Sequence, residues 1–379
     1  MIHQASLLVP SVAGIFPLFH GAGAEAPDTF PATEDSALGS TDGAHLGLID
    51  WVSPSRLGRV AHARVRGYRV AAGVPRVAPE NLAAVFSEFS SDCRRAGLRP
   101  LHFGLPGPAL EFLNAEDGRS CARWHIGDLP LFDLARWRED SGIPATIRTQ
   151  AQRARNHGVR VRHVVEAPSS SAERAAERDS LSTAMNAWLQ GKPIPPLHFL
   201  TTPFLLTPWP HEGVFVAETE CHGRCEVVGM LVASRALFGD VYRVDAVIRA
   251  PGSPNGCAEL LVREAFRHAA LRGLERATLG LAPLSQRSGV RTRGWPNHLS
   301  ALVRRFGAPW YSFEGLEAFK SKFAPDAWVP LYCVAPCSRF LPGDVLAVAR
   351  AFAGGSLRRY ALYSLRWTFT RTARKRPPV

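Results

Sequence analysis

The stretch from Val241 to Ser285 constrains the fold of this chain most strongly. It begins with a run rich in valine and isoleucine and passes through the loop APGSPNG. A segment whose apolar residues recur at helical spacing follows, and a second run with strand character ends the stretch. This order predicts a strand, a loop, a helix and a strand, the repeating unit of α/β proteins.

The loop places Asn255 and Gly256 at the start of the predicted helix. Free backbone N–H groups and the positive end of the helix dipole favour a carbonyl oxygen, a carboxylate or a phosphate at such a position. Asp245 lies within the preceding strand and Arg249 at its end, so a carboxylate and a guanidinium bracket the loop. An ordinary βαβ crossover with a salt-bridged aspartate fits the same pattern.

The length of the chain indicates the number of domains, and its charge indicates the kind of partner that it binds. A chain of 379 residues exceeds what one core usually holds, and therefore predicts two domains. The net charge of +12 and the pI near 9.9 predict a polyanionic partner, either nucleic acid or an anionic lipid surface. No run of apolar residues is long enough to span a bilayer.

Seven cysteines, an odd number spread over the chain, argue against a disulfide framework and favour a reducing compartment. Cys221 with Cys225 and Cys333 with Cys337 raise the question of a zinc site. Three intervening residues are not the usual spacing of a zinc knuckle, and no further histidine is suitably placed. We therefore expect buried or edge thiols and no metal.

Changes in composition divide the chain into four parts. Residues 1–43 lack periodicity and predict a disordered leader, in which Ala5 to Phe19 only distantly resembles a signal sequence. Strands and helices then predict a first domain over 44–167 and a second over 168–342. Residues 343–379 are predicted as a basic amphipathic helical tail. From Ser356 onward the tail has seven basic residues and no acidic one, which favours adsorption to an anionic membrane over a frayed terminal helix.

Two further segments have an open interpretation. The predicted helix from Ala145 to Gly158 has arginines, Arg148 among them, and no acidic residue, so it forms either a solvated face or a phosphate contact. The segment from Pro193 to Pro210 is apolar but too rich in proline for a regular helix. It forms either a buried irregular segment or a wall for an acyl chain.

Four motifs follow one another in the chain: WLQGK at Trp188, VDAVIRAPGSPNG, LGLAPLS ending at Ser285, and YSFEGLEAFKSKFAPDAWVPLY. Together with YRVAAGVPRV and IRTQAQRARNHGVRVR, they resemble the C-terminal catalytic domain of bacterial phosphatidylglycerol lysyltransferases, the multiple peptide resistance factor family. The resemblance covers Leu46 to Ala335. Several motifs in order are more specific than any one of them alone.

The resemblance implies an α/β fold of two tandem domains of the GCN5-related acetyltransferase type, with the active site in the second. It implies transfer of a lysyl or alanyl group from aminoacyl-tRNA to a hydroxyl of phosphatidylglycerol or a related membrane lipid, without a further cofactor. Such an enzyme is expected in the cytoplasm, peripherally associated with the inner face of the plasma membrane, and linked to antimicrobial peptide resistance. The large flippase domain of the family has no counterpart in the sequence, so a stand-alone form is expected.

Aminoacyl transfer needs a polarised ester carbonyl, a proton acceptor and a holder for the α-amine. We expect Asp245 to hold the amine or to act as the base, and Arg249 and Lys320 to contact the phosphate or the carbonyl. Family members commonly have an arginine three residues after the aspartate, where Ile248 stands here. The remaining candidates for substrate contacts are Asn255, Gly256, Ser285, Lys322, Arg148 and Trp188.

Two other functions fit the sequence. An acyl-CoA-dependent N-acyltransferase would use the same fold, although APGSPNG has fewer closely spaced glycines than pyrophosphate cradles of that fold generally have. The second alternative is a tRNA- or membrane-binding protein whose active site has decayed. The position of Arg249, one residue later than the family arginine, supports this alternative.

Overall fold

The computed structural model has a mixed α/β fold in which one large sheet is covered by helices. The described residues are 48–114, 121–139, 142–164, 171–190, 195, 197, 199, 213–221, 224–235, 241–290, 292, 294–307 and 311–374. The predicted leader lies outside them, as does nearly all of the segment from Pro193 to Pro210. No helix within these ranges is long and apolar enough to cross a bilayer.

The described residues contribute 13 strands to one sheet. In chain order these are β1 (Leu48–Val52), β2 (Gly58–Val65), β3 (Tyr68–Ala72), β4 (Arg76–Val77), β5 (Arg99–Pro106), β6 (Ala122–Asp133), β7 (Arg160–Val164), β8 (Val214–Cys221), β9 (Arg224–Arg235), β10 (Val241–Arg249), β11 (Arg276–Thr278), β12 (Ala282–Pro283) and β13 (Ala327–Ala335). The α-helices of the same ranges are α1 (Leu82–Arg95), α2 (Ala109–Asn114), α3 (Ala145–Asn156), α4 (Ser171–Gln190), α5 (Cys257–Leu271), α6 (Trp295–Phe306), α7 (Phe313–Ser321), α8 (Pro342–Phe352) and α9 (Leu357–Arg374).

β13 joins the two halves of the sheet. The strand order is β1-β2-β3-β5-β13-β6-β11-β10-β9-β8-β7, with β4 paired to β2 and β12 to β6. β13 runs antiparallel to both neighbours, so Leu331 pairs with Pro106 on one side and with Gly127 on the other. β7, from the predicted first domain, pairs with β8 of the predicted second domain. The sheet is therefore continuous across residue 167, and the division into two domains stays a prediction.

α5 is the central helix of the largest core cluster. The apolar residues that predicted this helix are all buried: Leu260, Leu261, Ala265, Phe266 and Ala269. Phe266 contacts Trp137 with ring centroids 4.9 Å apart, and α3 packs beside the helix. Burying one leucine or phenylalanine stabilises a fold by roughly 1.5–3 kcal/mol, so this packing fixes the position of the loop that precedes α5.

The predicted strands and helices are largely confirmed. The alternating run from Val60 to Val74 forms the hairpin of β2 and β3, in which Val65 pairs with Tyr68. After Pro79 the chain forms a 3₁₀ turn that continues as α1 to Arg95. The predicted unit from Val241 to Ser285 is formed by β10, α5, β11 and β12.

The C-terminal region differs in part from its prediction. α8 belongs to the core, since it buries Ala347, Val348 and Ala351, and buried Asp344 accepts a hydrogen bond of 2.7 Å from Arg99 Nε. The predicted tail, residues 343–379, therefore begins within a core helix. The sequence PGDVLAVARAF repeats apolar residues at helical spacing, which explains why this helix packs into the core. α9 is helical as predicted, and its adsorption to a membrane stays a prediction.

Candidate active site

Two parallel strands separate at the centre of the sheet. β10 and β11 pair from Val241 to Arg243 and from Arg276 to Thr278. Beyond this point β10 stays with β9, whereas the chain after Thr278 stays with β6, to which β11 pairs at Leu131 and β12 pairs at Asp128. A crevice beyond the carboxyl ends of parallel strands is a common ligand site in α/β proteins. This separation is the structural basis of the candidate site.

Asp245 lies directly at this separation. It is the extra residue of a β-bulge, because Val244 pairs with Ala233 and Ala246 with the next residue of β9, Val232. Bulges commonly redirect a side chain next to an active site. The half-buried carboxylate accepts a hydrogen bond from Arg243 Nε, with Oδ1 2.6 Å away.

Arg249 occupies the far end of β10. Its Nε donates to Ser253 Oγ at 3.1 Å and its Nη2 to the Ser253 carbonyl oxygen at 3.2 Å. Four residues of a strand span about 13 Å. The partner that the structure brings to Asp245 is thus Arg243, and Arg249 binds the loop before α5. Sequence reasoning missed Arg243, although its position two residues before Asp245 was a usable signal.

Lys320 is a second titratable group at the separation. It lies on α7 with only 5% of its surface exposed, and Nζ donates to the carbonyl oxygens of Gly280 at 2.8 Å and Leu281 at 2.7 Å. Burial lowers the pKa of Lys320 from its usual 10.5 to about 7. The two carbonyl contacts favour the ammonium form and burial favours the neutral amine, so both forms are populated near neutral pH.

Gly280 lies between Lys320 and the bulge. A Cβ built on this glycine would lie 4.0 Å from Lys320 Nζ and 3.7 Å from the carbonyl oxygen of Val244, the residue before Asp245. Its φ of +74° is also a conformation that glycine adopts at little cost. The amine and the bulge are therefore close neighbours across one glycine.

The start of α5 is adjacent to the same region. Lys322 is exposed, and its Nζ lies 3.5 Å from Oε1 of Glu259 in the first turn of α5. Lys320 and Lys322 thus differ in exposure and in partner, and sequence reasoning missed Glu259. Asn255 is exposed in the preceding turn.

Gly256 has a φ of +90°, and a Cβ at this position would lie 1.9 Å from the carbonyl oxygen of Gln150. The backbone of α3 therefore covers one side of the helix start that we predicted as an anion site. The N–H of Cys257, the first residue of α5, is not free, because it donates to the Pro254 carbonyl oxygen at 3.3 Å. Anion binding at this helix start stays a prediction.

A buried network that the sequence did not reveal holds the loop after β12. Asp128 is fully buried, and Oδ1 accepts hydrogen bonds from His125 Nε2 at 2.8 Å and Ser288 Oγ at 2.6 Å. Oδ2 accepts from Ser285 Oγ at 2.9 Å, so the predicted substrate contact Ser285 is fully buried and bonded to protein. Burial alone would raise the pKa of Asp128, but the hydrogen bonds from His125 and Ser288 outweigh it and hold that pKa below its usual range.

α7 presents a second buried acid to this loop. Glu317 accepts a hydrogen bond from Arg287 Nε at 2.6 Å and another from Arg304 Nη1 at 2.9 Å. Glu317 lies one turn before Lys320, so the loop, α6 and α7 are tied together around the amine. In the same segment Phe323 is buried, and Leu316 and Phe319 are half-buried.

The last two predicted contacts lie on other helices. Arg148 is exposed on α3, and half-buried Trp188 packs from α4 against the apolar cluster that includes Ile248 of β10. A cavity of about 410 Å³ lies between α3, β7 and α5, and Arg155, Arg160 and Glu264 are among its lining residues. Neither Asp245 nor Lys320 lines this cavity.

The cysteines were predicted as buried or edge thiols. Cys333 is fully buried, Cys337 half-buried and Cys225 exposed on β9. Within the described ranges, no three His, Cys, Asp or Glu side chains form a cluster that could hold a metal ion.

Comparison with known proteins identifies the family. The family described as phosphatidylglycerol lysyltransferase, C-terminal, matches residues 50–335. An uncharacterized protein of Corynebacterium glutamicum is 26% identical over 333 residues, which cover 83% of this chain and 40% of that protein. The phosphatidylglycerol lysyltransferase of Bacillus subtilis is 31% identical over 109 residues, which cover 29% of this chain and 12% of that protein. The chain thus spans less than half the length of either relative.

Two solved structures share the fold at 20% sequence identity. The C-terminal DUF2156 domain of a provisionally named lysylphosphatidylglycerol synthetase from Agrobacterium fabrum superposes with a TM-score of 0.64 over 83% of this chain and 91% of that chain. L-PGS from Bacillus licheniformis superposes with a TM-score of 0.66 over 82% and 90%. The expected α/β fold is confirmed. With a family match over most of its length, this chain belongs to the phosphatidylglycerol lysyltransferase C-terminal family.

Proposed function

We propose that this protein transfers an aminoacyl group from aminoacyl-tRNA to a hydroxyl of phosphatidylglycerol or a related membrane lipid. Family membership supports a transferase related to phosphatidylglycerol lysyltransferase. One observation on this chain carries the proposal furthest: the β-bulge that contains Asp245 and a buried amine with a pKa near 7 lie on two sides of Gly280, where β10 and β11 separate. Perturbed titratable groups of this kind cluster at active sites.

In this proposal Lys320 is the general base. A neutral lysine amine has two N–H donors and one lone pair, and the contacts to Gly280 and Leu281 engage both donors. The lone pair is then free to accept a proton, and a pKa near 7 suits a base that works at neutral pH. Asp245, fixed by Arg243, holds the positively charged α-amine of the aminoacyl group through a charge-assisted hydrogen bond.

The reaction exchanges one ester bond for another. The lipid hydroxyl oxygen attacks the ester carbonyl carbon while its proton passes to Lys320 Nζ. The tetrahedral intermediate then expels the ribose oxygen of the tRNA, and Lys320 returns the proton to that oxygen. Arg249 and Lys322, both exposed cations beside the start of α5, are proposed to contact phosphate, with Asn255 and Gly256 shaping the loop between them.

The basic helix α3 is proposed to contact the tRNA backbone, with Arg148 as one of its phosphate ligands. Exposed arginines without acidic neighbours in sequence suit such contacts. The apolar cluster around Trp188 is proposed to lie beside the bound substrate, because it packs against β10.

The test is direct transfer. Purified protein is incubated with radiolabelled lysyl- or alanyl-tRNA and vesicles containing phosphatidylglycerol, and label is measured in the lipid fraction. We expect label in the lipid that disappears when the tRNA is digested beforehand with ribonuclease. Absence of label with any amino acid or lipid, together with turnover of an acyl-CoA, would overturn the proposal in favour of N-acylation.

A further inference from the structure

α6 exposes its apolar side to solvent. The large apolar residues of one helical face are exposed by 41% at Trp295, 55% at Leu302, 43% at Val303 and 60% at Phe306. We call these four residues the apolar stripe of α6. A surface helix of a globular protein normally buries such a face and exposes its polar one. Contiguous exposed apolar residues of this size mark a binding surface.

The opposite face of α6 is bonded to the protein. Ser300 Oγ accepts a hydrogen bond of 2.7 Å from Trp124 Nε1. Arg304 Nη1 donates to the carbonyl oxygen of Leu284 and to Glu317, each at 2.9 Å. Trp295 Nε1 donates to the Phe340 carbonyl oxygen at 3.1 Å, which fixes the first turn. The helix cannot turn its stripe inward without breaking these bonds.

The basic residues of α6 and of the preceding sequence indicate which partner the apolar stripe binds. α6 contains two arginines and a histidine but no acidic residue, and residues 286–294, which precede it in sequence, include three arginines and no acidic residue. Exposed Arg305 stands 5.7 Å from the ring centroid of Phe306. An apolar stripe with cations beside it and a tryptophan at one end is typical of a helix that lies in the interface of an anionic bilayer.

A second copy of this chain fits the apolar stripe less well than an anionic lipid surface does. Each copy has a formal net charge of +12, and two α6 helices facing each other across a two-fold axis would bring their arginines together. An anionic lipid surface instead neutralises the same residues. At 12 residues α6 is about 18 Å long, which suits a helix lying along a surface.

We propose that α6 is a membrane-docking helix whose apolar stripe inserts into the surface of a bilayer rich in anionic lipid. This deepens the proposed function and rests on it, since docking places the lipid within reach of the amine. The connection is short: Arg304 of α6 binds Glu317 on α7, one turn before Lys320.

Vesicle binding tests the proposal. The protein is sedimented with vesicles of phosphatidylglycerol and phosphatidylcholine in equal parts, and with phosphatidylcholine alone. We expect the double variant Leu302→Ser and Phe306→Ser to bind the anionic vesicles roughly tenfold or more weakly, because two large apolar side chains no longer insert. Leu271→Ser is the matched control, since Leu271 is 67% exposed at the end of α5, outside the stripe, and this variant should bind as wild type.

Several outcomes would overturn the docking proposal. The docking proposal is excluded if the wild-type protein does not bind anionic vesicles. It is also excluded if a stripe variant binds these vesicles as tightly as wild type. Unchanged vesicle binding together with loss of a dimer in ultracentrifugation would assign the stripe to a second copy. Circular dichroism checks the fold of the variant, and the single variant Phe306→Ser is used if the double variant is unfolded.

A second measurement separates docking from catalysis. The double variant should still aminoacylate short-chain phosphatidylglycerol dispersed in detergent, because docking is then unnecessary. If wild type binds vesicles through the stripe but transfers no label to either form of the lipid, the proposed function fails and the docking proposal stands. If transfer to vesicles is unaffected by a stripe variant that binds normally, only the docking proposal fails.

Discussion

Arg243 and Asp245, two residues apart on β10, form an ion pair in which Nε lies 2.6 Å from Oδ1. Asp245 is the extra residue of the β-bulge between Val244 and Ala246, so the ion pair lies where the regular pairing of β10 with β9 is interrupted. Arg243 thereby fixes the orientation of a carboxylate at the point where two parallel strands separate.

We expect Asp245→Asn to lower kcat/KM for aminoacyl transfer by roughly 10–100-fold, because the α-ammonium group loses a charge-assisted hydrogen bond. Arg243→Gln should lower kcat by a smaller factor, since it acts only by orienting Asp245. Arg249→Gln is the matched comparison and should raise KM with little change in kcat. Transfer assays with purified variants check this, and full activity of Asp245→Asn would remove this residue from the site.

The pH dependence of transfer should follow Lys320. Its pKa is lowered to about 7 by burial, and a base works only when deprotonated. We therefore expect kcat/KM to fall as the pH drops below about 7 and to level off above it. Lys320→Arg should abolish transfer at every pH because the guanidinium stays protonated, whereas Lys322→Gln should keep the same profile. A profile that falls above pH 7 instead would assign Lys320 to the charged form.

His102 should make stability depend on pH. The ring is fully buried edge-on against Phe86 and Phe89, and neither ring nitrogen has a hydrogen-bond partner among the described residues. Burial lowers the pKa of His102 to about 4, whereas an unfolded histidine titrates near 6.5.

The unfolded chain therefore binds a proton that the folded chain excludes, so stability is full above about pH 6.5 and falls as the pH drops to about 4, by roughly 3 kcal/mol. Urea unfolding at a series of pH values measures this slope. His102→Leu should flatten it, whereas replacing exposed His298 with Leu should not. An equal slope in both variants would contradict a protonation event at His102.

Substitution of Ser285 tests whether this residue holds the fold together or contacts the substrate. Because its Oγ donates to fully buried Asp128, Ser285→Ala should lower the free energy of unfolding by roughly 1 kcal/mol and leave KM unchanged. Asp128→Ala should cost roughly 3 kcal/mol, since it deprives several buried donors at once. A raised KM for Ser285→Ala with unchanged stability would return Ser285 to the substrate contacts.

Local patterns predicted the β10, α5 and β11 unit because apolar spacing along one segment decides which face is buried. The burial of Lys320, a candidate named from the sequence, also agrees with local spacing, since Lys320 shares a helical face with Leu316 and Phe323, both of which turn toward the protein. The pairing of Arg243 with Asp245 joins residues two apart and was within reach of local spacing. The bulge at Asp245 and the network of Asp128 instead depend on contacts between distant segments. No local spacing encodes these contacts. α6 shows most clearly where prediction from local spacing fails. Its apolar residues recur at helical spacing and predict a buried stripe, but the structure exposes that stripe.

The position of β13 between β5 and β6 has a consequence for synthesis of the chain. During translation β5 and β6 emerge early, but the strand that separates them is complete only when Ala335 has left the ribosome. Until then two apolar strand edges lack their partner, and such edges invite pairing with other chains. We therefore expect truncation before Ala327 to yield an aggregating product rather than a smaller folded unit.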